Sequence, residues 1–286
     1  MINLVVEQDI PKTRLDVFVV SQIPEVSRGF VQRLITEGKV TINKEPARSN
    51  YLLKGGDLVT IDYKPSDLTE IPNIDLSIIY EDDNVVVIDK PIGVLSHSKG
   101  AFNPEATVDT FVKPMLQDIK DDRGGIVHRL DRATSGVIIC AKNEATRTML
   151  QKQFAQRKTK KTYFAVVEGT LSPTEAILDL PIERNPNNPS KFKVGPGGKD
   201  SQTLYKVIKS NTDYSLLELK PTTGRTHQLR VHLDYIKHPI VGDTLYGGKI
   251  ADRMMLHAAE LEITIPKGNR MIFKSTLPKE FNKYIK

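Results

Sequence analysis

The chain has 286 residues, of which 39% are hydrophobic and 27% charged, and carries a net charge of +6. This length and composition fit a soluble globular protein with a sizeable core and two domains, and exclude a mainly disordered chain. No apolar run approaches the about 20 residues that span a bilayer, and the start MINLVVEQDIPKTRLD lacks the basic opening and long apolar centre of a secretion signal. The expectation is a cytoplasmic protein with no membrane partner. Its one cysteine, Cys140, lies in the apolar run VIIC, has no intrachain partner and reads as a small packed hydrophobe.

Residues 1–63 read as a compact unit. TRLDVFVVSQ and SRGFVQRLITEGKV carry apolar residues at helical spacing, with Val31, Leu34 and Ile35 on one face, Ser27 as N-cap and Gly38 as the stop. KVTINKEPARS then predicts a strand with a turn at Asn43-Lys44, and GGDLVTIDY a returning strand. Two helices leading into a small β unit, with the pattern RLD, SRGFVQRLITEGKVTIN and GDLVTI, resemble an S4 RNA-binding domain. The resemblance implies that the second helix and adjoining loops meet RNA phosphates, through Arg28, Arg33, Lys39 and Lys44.

KPSDLTEIPNID, residues 64–75, has two prolines and no periodicity and reads as a linker. Residues 76–286 then form a second domain rich in strand-like runs: IIYEDDNVVVIDKP, GVIICAK, TYFAVVEG and SLLELKP. NEATRTMLQKQFAQRK places Ala145, Met149, Leu150 and Phe154 at helical spacing, and RNPNNPSKFKVGPGGKD reads as a turn-rich loop. The expected class is α+β, with a mixed, largely antiparallel sheet flanked by helices.

Within this domain, IVHRLDRATSGVIICAKN sets Asp131 between Arg129 and Arg132 just before a buried strand at Val137–Ala141, with Gly124–Val127 reading as a strand start. An Asp in a turn is ordinary, since its side chain can bond the backbone ahead; mounted on a connection fixed by a sheet, it is also where reactive groups often sit. Between Ala145 and Val167 there is no acidic residue, while Arg147, Lys152, Arg157, Lys158, Lys160 and Lys161 are cationic. Such a run is either a solvated face or a surface for phosphates. His227 and His232 in GRTHQLRVHL, read as a strand, face opposite sides and have no acidic or Cys neighbour, so no metal site is expected. Arg225 and Arg230 on the same segment can orient an acid or hold phosphates. P-loop, GxGxxG and paired-cysteine patterns are absent, and HRLD lacks the residue order and companion motifs of a kinase.

HRLDRATSG matches the HRLDxxTSG signature of RluA-type pseudouridine synthases, and VVVIDKPIGVLSH, KTYFAVVEG and GRTHQLRVHL match its other motifs in order. Following an S4 unit, this domain resembles the RluC and RluD branch over nearly the whole chain. The resemblance implies that Asp131 is the catalytic Asp, that Tyr163 packs against the target uracil and that Arg230 pairs with Asp131. It further implies that Arg129 fills the space left by the extruded base, while Leu130 and Thr134-Ser135-Gly136 are structural.

Chemistry supports these residue types. Isomerising uridine breaks the glycosidic C–N bond and forms a C–C bond, and a carboxylate can act there as nucleophile or as proton acceptor at the sugar. A nearby Arg keeps a buried carboxylate ionised, and extruding a base costs a few kcal/mol that protein contacts offset. The expectation is a monomeric synthase, without metal or organic cofactor, acting on structured RNA and in particular 23S ribosomal RNA. Arg225, Lys158, Lys160 and Lys161 join Arg129 as expected RNA contacts, and His97 and His128 as hydrogen-bond anchors. A noncatalytic RNA-binding protein and a nucleoside hydrolase are the competing readings.

Overall fold

The computed structural model describes residues 1–23, 26, 28–63, 73–97, 105–119 and 124–285. The chain divides into two compact units, Met1–Ile74 with His97–Thr107, and Asp75–Ser96 with Val108–Lys286. Most of the expected linker, the Ser27 cap and the Arg28 side chain lie outside the described residues.

In the first unit, strand β1 (Ile2–Val5) precedes helices α1 (Leu15–Gln22) and α2 (Arg28–Thr36), followed by β2 (Val40–Ile42), β3 (Glu45–Pro46) and β4 (Leu58–Ile61). The strands form one antiparallel sheet in the order β1-β4-β2-β3. Beyond the expected two helices and small β unit, the chain's first residues add an edge strand, with Ile2 and Leu4 packed on the core. Helix α2 buries Val31, Leu34 and Ile35 and stops at Gly38, whose φ of +74° lets the Lys39 N–H reach the Leu34 carbonyl at 2.8 Å. Asn43 and Lys44 both have positive φ, as a two-residue hairpin turn of matching twist requires. The buried Asp16 carboxylate of the RLD stretch accepts from Arg14 Nε at 3.0 Å and Gln32 Nε2 at 2.6 Å, tying the two helices together.

The second unit is built on strands β5 (Ser77–Glu81), β6 (Val85–Lys90), β7 (Ser135–Ala141), β8 (Lys160–Glu168), β9 (Glu175–Asp179), β10 (Ile182–Arg184), β11 (Phe192–Val194), β12 (Gln202–Ser210), β13 (Tyr214–Pro221), β14 (Leu256–Thr264) and β15 (Arg270–Lys274). Three helices accompany them: α3 (Val108–Val112), α4 (Glu144–Ala155) and α5 (Gln228–Tyr235). Among the described residues the main sheet has the order β5-β6-β7-β14-β8-β13-β12-β9, with β15 beside β14. Only β7 and β14 run parallel; the other pairings are antiparallel, so the sheet is mixed and mostly antiparallel. Strand β7 is buried along its whole length, which explains its unbroken apolar run and leaves Cys140 inside with burial pushing its thiol up. A Cβ on Gly136 would collide with the Ala258 backbone, so this position needs glycine for strands β7 and β14 to meet.

Three readings differ from the structure. Gly124–Val127 makes only a single bridge from Ile126 to Cys140 before turning away. The turn-rich stretch after residue 184 contains β11, hairpinned to β10. GRTHQLRVHL is a helix start: residues 228–233 are all buried, so Leu229, Val231 and Leu233 mimic strand alternation although Leu229 and Leu233 are helical neighbours.

Helix α4 starts at Asn143, whose side chain accepts from the Thr146 N–H at 2.9 Å. Its Phe154 stacks on His128 at 4.5 Å, and His128 Nε2 accepts the Ile139 N–H at 3.1 Å. Burial, and then the Lys161 charge, push His128 down to about 3. Its neutral form therefore stabilises the fold fully above the ordinary value of 6.5, and this contribution is lost as pH falls from there toward 3. The unfolding midpoint should drop across that window, and His128→Gln should flatten the drop; thermal melts of both proteins between those limits check it.

Candidate active site

Asp131 lies on the connection into β7, and the wall behind it is polar and buried. Ser96 Oγ accepts the Leu130 N–H at 2.9 Å and donates to the Leu130 carbonyl at 2.9 Å, clamping the residue before Asp131 on both sides. The Gly93 N–H reaches the Arg132 carbonyl at 2.8 Å, and the Thr134 N–H closes a turn onto the Asp131 carbonyl at 3.0 Å. Lys90, fully buried, donates to the carbonyls of Pro91 and Val94 at 2.9 Å each. Burial pushes Lys90 down to about 8, against the pull of the Asp131 charge.

The opposite wall is α5 and the turn before it. Gln228 organises that turn: its Oε1 accepts from Thr223 Oγ1 at 2.7 Å and from the Arg225 N–H at 3.0 Å, while Nε2 donates to the Gln202 carbonyl at 3.0 Å. The helix then carries Arg230 inward. Arg230 donates to Asp243 from Nε at 2.6 Å and from Nη2 at 2.8 Å, and to Asp131 Oδ2 from Nη1 at 3.4 Å. Distances of 2.6 to 2.8 Å mark the strong bidentate pair, so Asp243 holds the guanidinium and Asp131 takes its remaining edge. Burial opposes the Arg230 charge, but the Asp243 bonds outweigh it and raise the group above its ordinary value. The Tyr246 ring lies under the same guanidinium at 4.9 Å.

Asp131, with 18% of its side chain exposed, opens into a cleft lined also by Arg129, Lys161, Tyr163, His227 and Arg230. Tyr163, on β8, is raised well above the ordinary phenol range by burial and by the Asp131 charge, so it stays protonated. An adjoining cleft shares Arg129, Lys161, Tyr163 and Arg225 and adds Phe154 and Arg157. Lys161 donates to the Thr223 carbonyl at 2.9 Å, and burial pushes it down to about 8. Arg225 donates to the Asp200 carbonyl at 3.0 Å.

The structure thus gathers Asp131, Tyr163, Arg230, Arg129, Arg225 and Lys161 around one opening. Lys158 and Lys160 are exposed nearby in sequence, Lys160 with Glu262 at 3.3 Å. In the first unit, Arg33 and Lys39 both pair with Glu37, at 3.6 and 3.1 Å, and Lys44 sits exposed in its hairpin turn. Sequence reasoning missed Asp243 and Tyr246, and considered His227 only as a metal ligand. The only signal for Asp243 was a lone Asp in VGDTLYGG, with no local pattern to mark it as a partner. His232 is a satisfied core residue beside Ser201 and Thr203, and no group of three metal-ligating side chains occurs among the described residues. Nor is any described helix long and apolar enough to cross a membrane.

Residues 84–235 match the RNA pseudouridylate synthase family and residues 13–59 the S4 domain. The chain belongs to the RNA pseudouridylate synthase family. It is 37% identical to ribosomal large subunit pseudouridine synthase D of Borreliella burgdorferi, over 94% of this chain and 87% of that protein. It is 32% identical to ribosomal large subunit pseudouridine synthase C of Vibrio parahaemolyticus, over 92% and 89%. Among solved structures, human RNA pseudouridylate synthase domain containing 1 superposes with a TM-score of 0.59 at 27% identity, covering 72% of this chain and 85% of that one. The RluC and RluD resemblance therefore holds, and the chain is a pseudouridine synthase with an RNA-binding S4 domain.

In this synthase the Arg230–Asp243 pair is buried, with side chains 9% and 1% exposed. Asp243→Ala strands the guanidinium and should cost on the order of 3 kcal/mol in urea unfolding. Isomerisation should fall more steeply than stability alone accounts for, because Arg230 then swings toward Asp131.

Proposed function

We propose that the enzyme isomerises specific uridines of large-subunit ribosomal RNA, with Asp131 as the catalytic carboxylate acting on a uridine extruded into the cleft. The observation that carries this reading is the placement of Asp131: a carboxylate lining an open cleft, 3.4 Å from a guanidinium that a second carboxylate already holds by two short bonds. Such an oxygen is free to act on the sugar or the base. Tyr163 offers a flat, protonated ring for the uracil, and the exposed Arg129 is placed to occupy the gap left in the RNA. Nothing in this chemistry calls for a metal or organic cofactor, and we take the enzyme to work as a cytoplasmic monomer.

RNA affinity comes from cations on both units. We assign residues 1–63 to RNA capture and 76–286 to catalysis, joined by 64–75. Arg33 and Lys39 are held by Glu37 in exposed pairs, which are weak and exchange readily for phosphate. Around the cleft, Arg129, Arg225, Lys158, Lys160 and Lys161 supply further phosphate contacts. The relatives named for the large ribosomal subunit support that RNA as the substrate.

The deciding experiment is tritium release from unmodified large-subunit ribosomal RNA labelled at uridine C5, because replacing that hydrogen with carbon belongs to this isomerisation. The unchanged protein should release tritium, and Asp131→Asn should release none while binding RNA equally well. Release by Asp131→Asn at the normal rate would remove Asp131 from the chemistry. In a separate titration, the double variant Arg33→Gln, Lys39→Gln should lower the slope of log affinity against log salt by about 2.

A further inference from the structure

Two features of the cleft are left over once Asp131, Tyr163 and Arg230 have roles. His227 lines it, with a backbone φ of +57° and ψ of 19°, the left-handed region that side-chain-bearing residues rarely adopt. Tyr246 is buried, and its hydroxyl lies 2.9 Å from His227 Nδ1. A strained backbone persists only where its surroundings hold it, and such residues concentrate at functional sites.

The hydrogen bonds decide how this imidazole is protonated. The Tyr246 oxygen already accepts the Phe192 N–H at 2.9 Å, a donor with no alternative role. Among the described residues the hydroxyl hydrogen has one acceptor within reach, His227 Nδ1. Nδ1 is therefore bare and the ring proton is on Nε2. Nε2 faces Asp131 Oδ2 at 3.9 Å, on the same oxygen that Arg230 Nη1 reaches at 3.4 Å. Burial lowers His227 below the ordinary imidazole value despite the Asp131 charge, so the ring is a neutral donor at neutral pH. Arg230 Nη1 stands at the long end of hydrogen-bond distance and His227 Nε2 just outside it, a spacing that closes to a bond in sites that tighten when substrate fills them.

We propose that His227 is a positioning residue for the Asp131 carboxylate, presenting an Nε2–H to Oδ2 in a tautomer that Tyr246 sets. This rests on the reading of Asp131 as the catalytic group. Arg230 supplies charge to Asp131, while His227 supplies a directional donor without adding charge. Together they aim one carboxylate oxygen and leave the other, Oδ1, for the nucleoside. Tyr246 serves both, with its ring under Arg230 and its hydroxyl on His227. The other charged or titratable groups around this pair are Arg129 and Lys161, which line the same cleft, Lys90 from β6, Tyr163 from β8, and Asp243 and Tyr246 beside Arg230.

The test is the single-turnover rate of tritium release from C5-labelled large-subunit ribosomal RNA transcript, measured with the full chain from pH 5 to 8 alongside RNA affinity. His227→Asn tolerates the left-handed backbone and keeps a polar atom near Tyr246, but cannot reach Asp131. It should slow release about tenfold or more, the loss of one hydrogen bond to a charged group. Its acid limb should move to higher pH, because a carboxylate missing a donor protonates more easily. RNA affinity should stay within about twofold of the unchanged protein by the same reasoning, since no phosphate contact is touched. His227→Gln, whose amide N–H can take the place of Nε2–H, should recover part of the rate. Tyr246→Phe keeps the ring under Arg230 and should shift rate and acid limb in the same direction, and adding it to His227→Asn should cause little further loss.

A His227→Asn protein with the unchanged rate and acid limb overturns the proposal. So does a rate loss with no shift of the acid limb and no recovery in His227→Gln, the signature of a merely structural role. If the unchanged protein releases no tritium, the reading of the site itself fails and this inference falls with it.

Discussion

The active-site opening depends on one buried ion pair. Arg230 brings a guanidinium into a wall where side chains are nearly dry, and taking it out of water carries a penalty of several kcal/mol. The single contact of 3.4 Å to Asp131 does not offset that, whereas the two bonds of 2.6 and 2.8 Å to Asp243 do. Asp243 thereby frees Asp131 from a structural duty. One carboxylate is locked in place, and the other is held by a single longer contact.

This division of labour shapes the surrounding polypeptide. Asp243 and Tyr246 lie on one turn, so the same short segment fixes the Arg230 edge, packs its face and bonds His227. On the far side, Ser96, Gly93 and Lys90 satisfy the backbone around Leu130 and Arg132, which is how an irregular loop stays in one conformation against a buried strand. The loop then delivers Asp131 at the rim of the sheet, while β7 behind it is sealed. The rigid part is the sheet, and the candidate site stands on the connections at its edge.

The cations divide in a similar way. Lys161 and Arg225 bond backbone carbonyls and form part of the walls, so they shape the opening as well as charge it. Arg33, Lys39 and Lys160 sit in exposed pairs with glutamates, where solvent screens the attraction and a phosphate can displace the partner. Exposed pairs of this kind add little stability.

Much of this was legible in the chain alone. The helices of the first unit, the strand after Asp131 and helix α4 follow from apolar spacing, caps and glycines within about a dozen residues. The family resemblance implied Asp131, Tyr163 and Arg230 through three separate motifs, and the fold brings all three to one cleft. The segment carrying Arg230 reads as a strand in sequence because Leu229, Val231 and Leu233 alternate, while burial of the helix on all sides removes the polar face that would mark it. Asp243 and Tyr246 have no local signature, and His227 suggests only a metal ligand that the pattern does not support. Their roles come from contacts spanning 13 residues between Arg230 and Asp243, 19 between His227 and Tyr246, and 99 between Arg230 and Asp131. The sequence by itself determined the two-unit organisation, most of the helices and strands, and the family motifs that carry the candidate site residues. Only the tertiary structure decided which carboxylate binds Arg230 tightly and that Tyr246 meets His227, since both are settled by distances between groups that no local pattern relates.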